Sequence, residues 1–558
     1  MKKIKLLSGM FLIAAAVSSC YKDKGNYEYK ELNEVSLKGL EARYERDQDD
    51  SLNIRVELSG TQYADDSKFS YAWELARNII STEKDLKLKV NLSIGEHLGR
   101  FVVTDKSNGA KTYFRFSLRV ASSTAGDLLV VLSNYNGAAE LSYKRLDKEG
   151  NFAVNYYQQR FGQSLGTNPR QIAINYVYVK NQIPFTDVAT QGSVQVLTAE
   201  GLKILDKHAM GPKDGLDYIT AASFTNLLPP YPAPDVSGYK PEYVSYQQDM
   251  WNHNPYGGIN QSGRQNLISG GALYFNVMDG FTRKMSVNQK ADNNGYLAPA
   301  MCYASIVNAQ QTSPTLKMRG YDVSSYLLLF DNTNGKFLYS NYGSRPLTIL
   351  DKDNKEYMPS YPGYKMIYAS HTSTPNKCVA ILHNGSKTKL VYLTVPGTAT
   401  QQTTMPFAVL GEVEVSNSLI NQDSRFYMMR YAPYLLFSSG SRVYRYNVQG
   451  IQTGAVPGDV IADLGSMGYS NDATIKAFTV SRTEQNLLMA ISRYGATTSG
   501  DGPLRGDVIK MLFNNATISL KFDQKYESVS GNPVDIQIKY QTHLRDGVNA
   551  NGVLVDKI

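Results

Sequence analysis

The chain alternates short apolar runs with polar turn clusters, and the clearest case is residues 326–340, YLLLFDNTNGKFLYS. The run LLLF has no polar position in its middle, which is typical of a strand buried on both faces. The residues NTNG that follow favour a tight turn, because Asn and Gly tolerate positive φ angles. The second run, FLY, leads back. The pattern predicts a β-hairpin with both strands inside a packed structure.

Six further stretches repeat this order of apolar run, polar turn and returning apolar run. The seven units begin at residues 128, 194, 272, 326, 378, 434 and 487, and the last four lie 52 to 56 residues apart. Repeats of roughly 40–50 residues built from short strands are typical of β-propellers with four strands per blade. The repeat predicts an all-β fold with a β-propeller, of seven blades, over residues 121–558. Two β-sandwiches with similar hairpins are the alternative.

Residues 31–120 have a different pattern, in which apolar and polar positions alternate. Residues 52–58 and 86–92 carry apolar side chains at every second position, which predicts strands with one buried face. Trp73 lies in a further strand and is expected in the core rather than on a ligand platform. The close spacing predicts a small β-sandwich, whose remaining strands are residues 69–73, 101–104 and 113–120.

The first twenty residues have the features of a lipoprotein leader. Residues 1–19 combine three lysines with an apolar stretch that is too short to span a bilayer, which predicts a signal peptide. Residues 17–20, VSSC, resemble a bacterial lipobox, in which Cys20 becomes the lipidated first residue of the mature chain. An ordinary signal peptide with an incidental Cys20 is the alternative. Residues 20–30 are polar and aromatic, so they predict a tether. The lipid would be the only contact with the membrane.

Charge and residue spacing predict no nucleic-acid partner, metal or other cofactor. The formal charge is +8, or +5 without the three leader lysines, and no basic run marks a nucleic-acid surface. The histidines lack metal-binding spacing, and the acidic turns 331–335 and 351–356 do not complete an EF-hand loop. Residues 162–166, GQSLG, match GxSxG but follow no strand, so a catalytic Ser is not predicted. Cys302 and Cys378 could pair, although two buried thiols are the preferred interpretation.

Two long stretches separate the early hairpins, at residues 212–270 and 288–325. They predict long loops on the propeller, and loops on a rigid scaffold are where binding usually resides. The first stretch is rich in proline and aromatic residues. Its rings could contact a ligand or a partner protein, or they could pack on the loop itself. The candidate binding residues are Tyr239, Tyr243, Tyr246, Trp251 and Tyr256.

Several short motifs in order resemble the PKD-like family of lipoproteins from Bacteroidetes. After Cys20 come KGNY at residues 24–27, YAWE at 71–74 and DLLVVLSNYNGAAEL at 127–141, and the likeness is best over residues 17–145. The resemblance implies a PKD/Ig-like sandwich on a protein anchored in the outer membrane and facing the cell exterior. It also implies two partners, a SusC-like TonB-dependent transporter and a SusD-like lipoprotein, which import oligomeric nutrients. It implies no catalytic residues.

Three functions are consistent with these observations. The first is a non-enzymatic lipoprotein that binds an oligopeptide or an oligosaccharide for the transporter. The peptide is preferred, because glycan binders often use Trp platforms and only Trp251 is free for that role. The second is an extracellular hydrolase on a propeller scaffold, which turnover of substrate would reveal. The third is a structural subunit whose loops hold the transporter, so that deleting residues 229–256 would abolish assembly but not ligand binding.

Overall fold

The structure is a computed structural model. It describes an N-terminal and a C-terminal region almost continuously and, between them, mainly strands. It describes residues 32–175, 193–206, 208–212 and 359–540, with gaps at 375–376, 395–406, 430, 482, 495–503 and 515, and between 218 and 355 it describes mainly strands. The chain divides into two compact units, Met1–Ser123 and Thr124–Ile558. Among the described residues, no helix has both the length and the apolar character needed to cross a bilayer.

Nine strands form the described part of the first unit, residues 32–123. They are β1 (Val35–Lys38), β2 (Arg43–Asp47), β3 (Ser51–Ile54), β4 (Glu57–Gly60), β5 (Phe69–Leu75), β6 (Asn78–Ser81), β7 (Leu86–Lys89), β8 (Gly95–Asp105) and β9 (Lys111–Ala121). A five-stranded sheet has the order β2-β9-β8-β5-β6, and its only parallel pair is β2 with β9. Two small antiparallel sheets, β1-β4 and β3-β7, complete the unit. A 3₁₀ turn, Asp66–Lys68, precedes β5.

One aromatic core joins these sheets. Trp73 has no exposed surface, and its ring centroid lies 4.4 Å from that of Phe101 and 5.8 Å from that of Phe116. Its indole N–H donates to the carbonyl oxygen of Glu83 at 3.0 Å, so the buried polar atom has a partner. Leu52 from β3 belongs to the same buried cluster. The prediction that Trp73 is a core residue is confirmed.

The second unit contains seven separate sheets among the described residues, here named I to VII. After β10 (Leu128–Tyr135) and β11 (Ala138–Arg145), six antiparallel sheets of four strands follow in chain order. Sheet II is β12 (Gln171–Asn175), β13 (Ser193–Leu197), β14 (Leu202–Asp206) and β15 (Tyr218–Ile219). Sheet III is β16 (Tyr243–Gln247), β17 (Arg264–Ser269), β18 (Ala272–Met278) and β19 (Met285–Ala291). Sheet IV is β20 (Cys302–Ser305), β21 (Ser324–Asp331), β22 (Lys336–Asn341) and β23 (Leu347–Thr348).

The remaining sheets are more regular. Sheet V is β24 (Lys365–His371), β25 (Lys377–His383), β26 (Lys387–Thr394) and β27 (Ala408–Ser416). Sheet VI is β28 (Phe426–Met428), β29 (Tyr434–Ser439), β30 (Arg442–Asn447) and β31 (Asp459–Asp463). Sheet VII is β32 (Thr474–Val480), β33 (Asn486–Ser492), β34 (Gly506–Asn514) and β35 (Ser519–Ser530). The described helical segments of this unit are α1 (Tyr156–Phe161) and two 3₁₀ turns, Val448–Thr453 and Leu464–Met467.

The last strand of the unit, β36 (Asn532–Lys539), pairs with its first strand, β10, and so completes sheet I in the order β11-β10-β36. Gly531 lies at the start of this pairing. A Cβ atom on it would lie 2.4 Å from the carbonyl oxygen of Asn134, so only glycine fits without a shift. Apolar clusters join sheet I to sheets VII and II, and others join IV to V, V to VI and VI to VII. The arrangement is propeller-like; a closed ring of seven blades stays a prediction.

Each of the seven predicted hairpins lies in a different sheet. In sheets II, IV, V, VI and VII the hairpin forms the two central strands, and in sheet I it is β10 with the edge strand β11. β10, β25 and β33 are buried on both faces, as their continuous apolar runs predict; all seven residues of β33 are buried. In sheet III the predicted hairpin is β18 with the edge strand β19, and the other central strand, β17, was not predicted. β17 has the sequence RQNLIS. Because its first three residues are polar, the strand has no continuous apolar run from which it could be predicted.

The prediction of long loops at residues 212–270 and 288–325 is wrong in part. The first stretch contains β15, β16 and β17, and the second contains β20 together with the ends of β19 and β21. The clustered prolines at 229–234 indicate irregular backbone, but they do not exclude strands on either side. β16 reads YVSYQ, and its aromatic and β-branched residues favour a strand.

Candidate ligand-binding groove

The predicted aromatic binding residues are only partly covered by the structure. Tyr243 and Tyr246 lie on β16, the first strand of sheet III. The other three, Tyr239, Trp251 and Tyr256, lie outside the described residues, as does Cys20. The side chains of Tyr243 and Tyr246 are not described either, so the aromatic surface stays a prediction.

The GxSxG match at residues 162–166 forms a turn after a helix. It follows α1, whereas a nucleophile elbow joins a strand to a helix. The Ser164 hydroxyl accepts a hydrogen bond from the backbone N–H of Gly166 at 3.0 Å and donates to the carbonyl of the same residue at 3.3 Å. These bonds within the turn explain the serine.

In the acidic turn of the hairpin at 326–340, the carboxylate is also engaged in hydrogen bonds within the turn. The carboxylate of Asp331 accepts from the backbone N–H of Asn334 at 3.1 Å and from its side-chain amide at 2.7 Å. Within the described part of the chain, no three His, Cys, Asp or Glu side chains are grouped so that they could hold a metal ion. Cys378 is fully buried on β25. The side chain of Cys302 is not described, so the pairing of the two cysteines stays a prediction.

A groove of about 570 Å³ lies between sheets I and VII, where the two ends of the second unit meet. This volume is within the range of about 300–1,000 Å³ that ligand pockets commonly have. Leu129 and Leu488 contribute the apolar part, and both belong to the buried cluster that joins the two sheets. The groove is otherwise polar, and its other lining residues are Lys144, Arg145, Leu146, Asp147, Lys148, Glu149, Gly150, Lys510, Gln524 and Tyr526.

Lys144, on β11, carries a buried cation at the wall of the groove. Its side chain is almost enclosed, and the residue is only 8% exposed. The ammonium group donates to the carbonyl oxygens of Gly150 at 2.9 Å, Arg145 at 3.3 Å and Lys148 at 3.5 Å. Burial lowers the pKa of Lys144, Glu149 raises it, and the positive charge of Lys510 lowers it further. The two lysines are therefore close enough to repel each other.

Lys510 enters the groove from β34 in sheet VII. Its ammonium group lies 2.9 Å from the carboxylate of Asp523. Beside it, on β35, the Tyr526 ring centroid lies 5.7 Å from the ammonium of Lys144, and the Tyr526 hydroxyl donates to the Gln524 side chain at 2.5 Å. Burial, together with the charge of Asp523, raises the pKa of Tyr526. Lys144 and Lys510 thus share the groove with an aromatic ring and an amide, and Arg145 and Lys148 are two further basic lining residues.

The turn after β11 forms the rim of the groove. Arg145 donates two hydrogen bonds to the carboxylate of Asp147, at 2.7 and 2.6 Å. Burial raises the pKa of Asp147, but the bonds and charge of Arg145 outweigh burial, so the pKa lies below its usual value. Gly150 has a φ of +140°, which L side chains rarely adopt, and it thereby presents its carbonyl to Lys144.

Sequence reasoning missed this groove, although two signals in the sequence indicate it. Lys510 interrupts the apolar run VIKMLF, and Lys144 ends the buried segment LSYK. A lysine inside a strand that is buried on both faces needs a specific partner or an opening to solvent. The meeting of β11 with sheet VII could not be read from the sequence, because about 360 residues separate them.

A second polar cluster lies further along β34 and is an internal network. The carboxylate of Asp507 is fully buried and accepts from the Tyr469 hydroxyl at 2.9 Å and from the backbone N–H of Ser528 at 2.8 Å. Arg493 lies 3.6 Å from the same carboxylate. Burial raises the pKa of Asp507, and these donors oppose that shift. The cluster stabilises sheet VII rather than leaving a free reactive group.

Asp535, on β36, links sheet I to sheet II. Its carboxylate accepts from the backbone N–H of Ile172 on β12 at 2.8 Å and from that of Ile536 at 2.8 Å. Burial raises its pKa to about 6, against these bonds and the charge of Arg425. Arg425 directly precedes β28 of sheet VI, so the start of β28 lies near enough to β36 for these two charges to interact.

Comparison with known proteins gives one match by sequence and several by structure. A model of the PKD-like family matches residues 20–169, which include β1 to β11 and the rim of the groove. No curated protein sequence matches the chain. A quinoprotein alcohol dehydrogenase-like protein from Bacteroides thetaiotaomicron aligns over 89% of this chain and 96% of its own, with 10% identity and a TM-score of 0.43.

Two provisionally assigned 6-phosphogluconolactonases also align over 75% of this chain. The protein from Bacteroides uniformis aligns over 100% of its own chain with 10% identity and a TM-score of 0.37. The protein from Bacteroides fragilis aligns over 98% of its own chain with 11% identity and a TM-score of 0.36. These likenesses are too distant to support an argument about chemistry.

Proposed function

We propose that this protein is a lipoprotein of the outer membrane that faces the cell exterior and binds an oligomeric nutrient for a SusC-like transporter and its SusD-like partner. The groove between sheets I and VII is the observation that carries the proposal. It combines cations, an aromatic ring, an amide and the apolar side chains of Leu129 and Leu488. These groups lie where the first and last strands of the unit pair. Mixed polar and apolar lining of this kind suits oligomers that alternate hydrogen-bonding and apolar groups.

The groove supports an oligopeptide over an oligosaccharide. Glycan sites typically stack a sugar on a broad aromatic face, and the groove has one aromatic lining residue, Tyr526. Peptides carry charged ends and side chains, which match the lysines and the carboxylates of the lining. The oligosaccharide remains the alternative ligand.

The anchor and the location belong to the same proposal. The matched region of the PKD-like family begins at residue 20, which is the cysteine of the predicted lipobox. A lipid at Cys20 would hold the folded units close to the membrane through the tether of residues 20–30. Replacing Cys20 by Ala should release the protein from the membrane fraction, and metabolic labelling with a fatty acid should no longer mark it.

We also propose that sheets I to VII close into a seven-bladed propeller. The pairing of β36 with β10, the apolar cluster between sheets VII and I, and the proximity of Arg425 to Asp535 support a ring. Completing sheet I with the first and last strands of the unit joins the two ends of the array of sheets, which stabilises such a fold.

Purification from the native outer membrane in mild detergent tests the proposed function. Mass spectrometry should identify a TonB-dependent transporter, its SusD-like partner and bound oligomers. Recovery of the protein alone would contradict a role in uptake. Incubation of the purified protein with peptides and glycans should leave them intact, and turnover of either would instead support the hydrolase.

A further inference from the structure

Four basic residues but only two acidic ones line the groove. Lys144 is bonded to carbonyl oxygens, and in the described part of the chain no carboxylate lies within ion-pair distance of its ammonium group. Lys510 shares one carboxylate, that of Asp523. Glu149 acts on Lys144 only from beyond ion-pair distance, and burying a cation without a close opposite charge is costly, so this part of the groove favours the arrival of an anion.

Other buried lysines of this unit show the contrast. Lys203 donates to the carbonyl of Ser164 at 3.1 Å, and Lys539 donates to that of Gly126 at 3.1 Å. Both are more deeply buried than Lys144, at 2% and 1% exposure, and neither lines the groove. They are structural cations that hold backbone carbonyls. Lys144 differs because a second lysine and an open volume lie beside it.

We propose that Lys144 and Lys510 form a subsite for a carboxylate of the bound oligomer, with the Tyr526 ring against the adjoining part of the ligand. Resting on the proposed function, this assignment adds the chemical class of the ligand. The Lys510 ammonium can donate to one oxygen of the carboxylate, and Lys144 can donate to the other in exchange for its longest bond, the one to the carbonyl of Lys148 at 3.5 Å. The apolar side chains of Leu129 and Leu488 would then pack against an apolar group of the ligand next to its carboxylate.

A peptide C-terminus and a uronic acid would both supply such a carboxylate. The test therefore uses the full mature chain with two matched probe pairs. The first pair is a fluorescent pool of short peptides with free C-termini and the identical pool with amidated C-termini. The second pair is a uronic-acid oligosaccharide and a neutral oligosaccharide of the same length. Fluorescence anisotropy gives the peptide affinities, and calorimetry gives the sugar affinities.

We expect one acidic probe to bind at least about ten-fold more tightly than its neutral counterpart, because a partly buried charge pair adds affinity. Replacing Lys510 by Met should bring this ratio close to one, and Lys510→Arg should restore most of it. Lys389→Met is the matched control, since Lys389 is half-buried, paired with Glu412 at 3.2 Å and far along the chain from the groove. It should leave the ratio unchanged.

The outcomes separate the subsite from the proposed function. Equal binding of the acidic and neutral probes would overturn the subsite while leaving a nutrient-binding protein. An acid preference that persists in Lys510→Met, in protein that unfolds at the wild-type temperature, would also overturn it. Failure of every peptide and sugar to bind would overturn both.

Discussion

The two units bury charge in different amounts. Among the described residues, the sandwich buries one charged side chain, Asp105, next to an aromatic core centred on Trp73. The second unit buries many more, including Glu140, Lys144, Lys203, Glu484, Asp507 and Lys539. Its apolar core is divided into clusters between successive sheets, and the charged groups bind backbone atoms at the edges of those clusters. The sandwich is therefore stabilised by one central core, whereas the second unit is stabilised by several separate apolar clusters and by buried charged groups at their edges.

The largest effect is expected from the centre of the sandwich. Trp73→Ala should lower the free energy of unfolding of the first unit by about 3–5 kcal/mol, because a large ring is removed from a fully packed core. Calorimetry of the full chain should show a large shift in the transition of this unit and little change in that of the second. Tyr113→Ala, which removes a half-exposed ring from the same sheet, is the control. Equal shifts for both variants would contradict a single aromatic centre.

A single residue should also matter in the second unit where its ends meet. Gly531→Ala places a Cβ against the carbonyl oxygen of Asn134, so β36 must move away from β10. Overpacking of this kind costs about 1–3 kcal/mol. We expect a lower unfolding temperature for the second unit and faster hydrogen exchange in β10 and β36.

The matched control is Gly458→Ala, because a Cβ at Gly458 meets no atom within 4 Å. It should leave the unfolding temperature unchanged. If Gly531→Ala had no effect on exchange in β36, the pairing of the two chain ends would not be important for stability.

The pH dependence of stability should report on the junction of sheets I and II. Folding raises the pKa of Asp535 from 3.8 to about 6, so the folded protein holds this proton more tightly than the unfolded chain. The protonated Asp535 carboxyl therefore stabilises the folded protein fully below about pH 4. This stabilisation, about 1–3 kcal/mol in the free energy of unfolding, is lost as the pH rises to about 6. Asp535→Asn should flatten this part of the stability profile measured by urea unfolding. If the slope of stability against pH in Asp535→Asn matched that of the wild type, Asp535 would not be the source of this pH dependence.

A comparison with Asp423→Asn controls for a general charge effect. Asp423 is an exposed carboxylate in the segment before β28. Its replacement should leave the slope between pH 4 and pH 6 in place. Both variants change the net charge equally, so only the buried position of Asp535 distinguishes them.

The strands could be predicted from the sequence where burial is two-sided, and the groove could not. β25 and β33 are continuous apolar runs, and their hairpins follow directly from that pattern. β17 begins with polar residues and was missed, since its pattern has no clear period. The groove depends on the pairing of β36 with β10, which brings sheet VII beside β11. Nothing local in the residues around Lys144 specifies that long-range contact.

The smallest expected effects concern ion pairs at the surfaces of the two units. Arg100 and Glu74 pair at 2.7 Å on the sandwich, where the arginine side chain is 50% exposed. Arg145 and Asp147 pair at 2.6 Å at the rim of the groove, with side chains only 16% and 24% exposed. Double-mutant cycles should give about 0.2–1 kcal/mol for the exposed pair and a larger coupling for the rim pair, which water screens less. Raising the salt concentration should weaken the sandwich pair more. Equal couplings with equal salt dependence would mean that the rim of the groove is as open to solvent as the face of the sandwich.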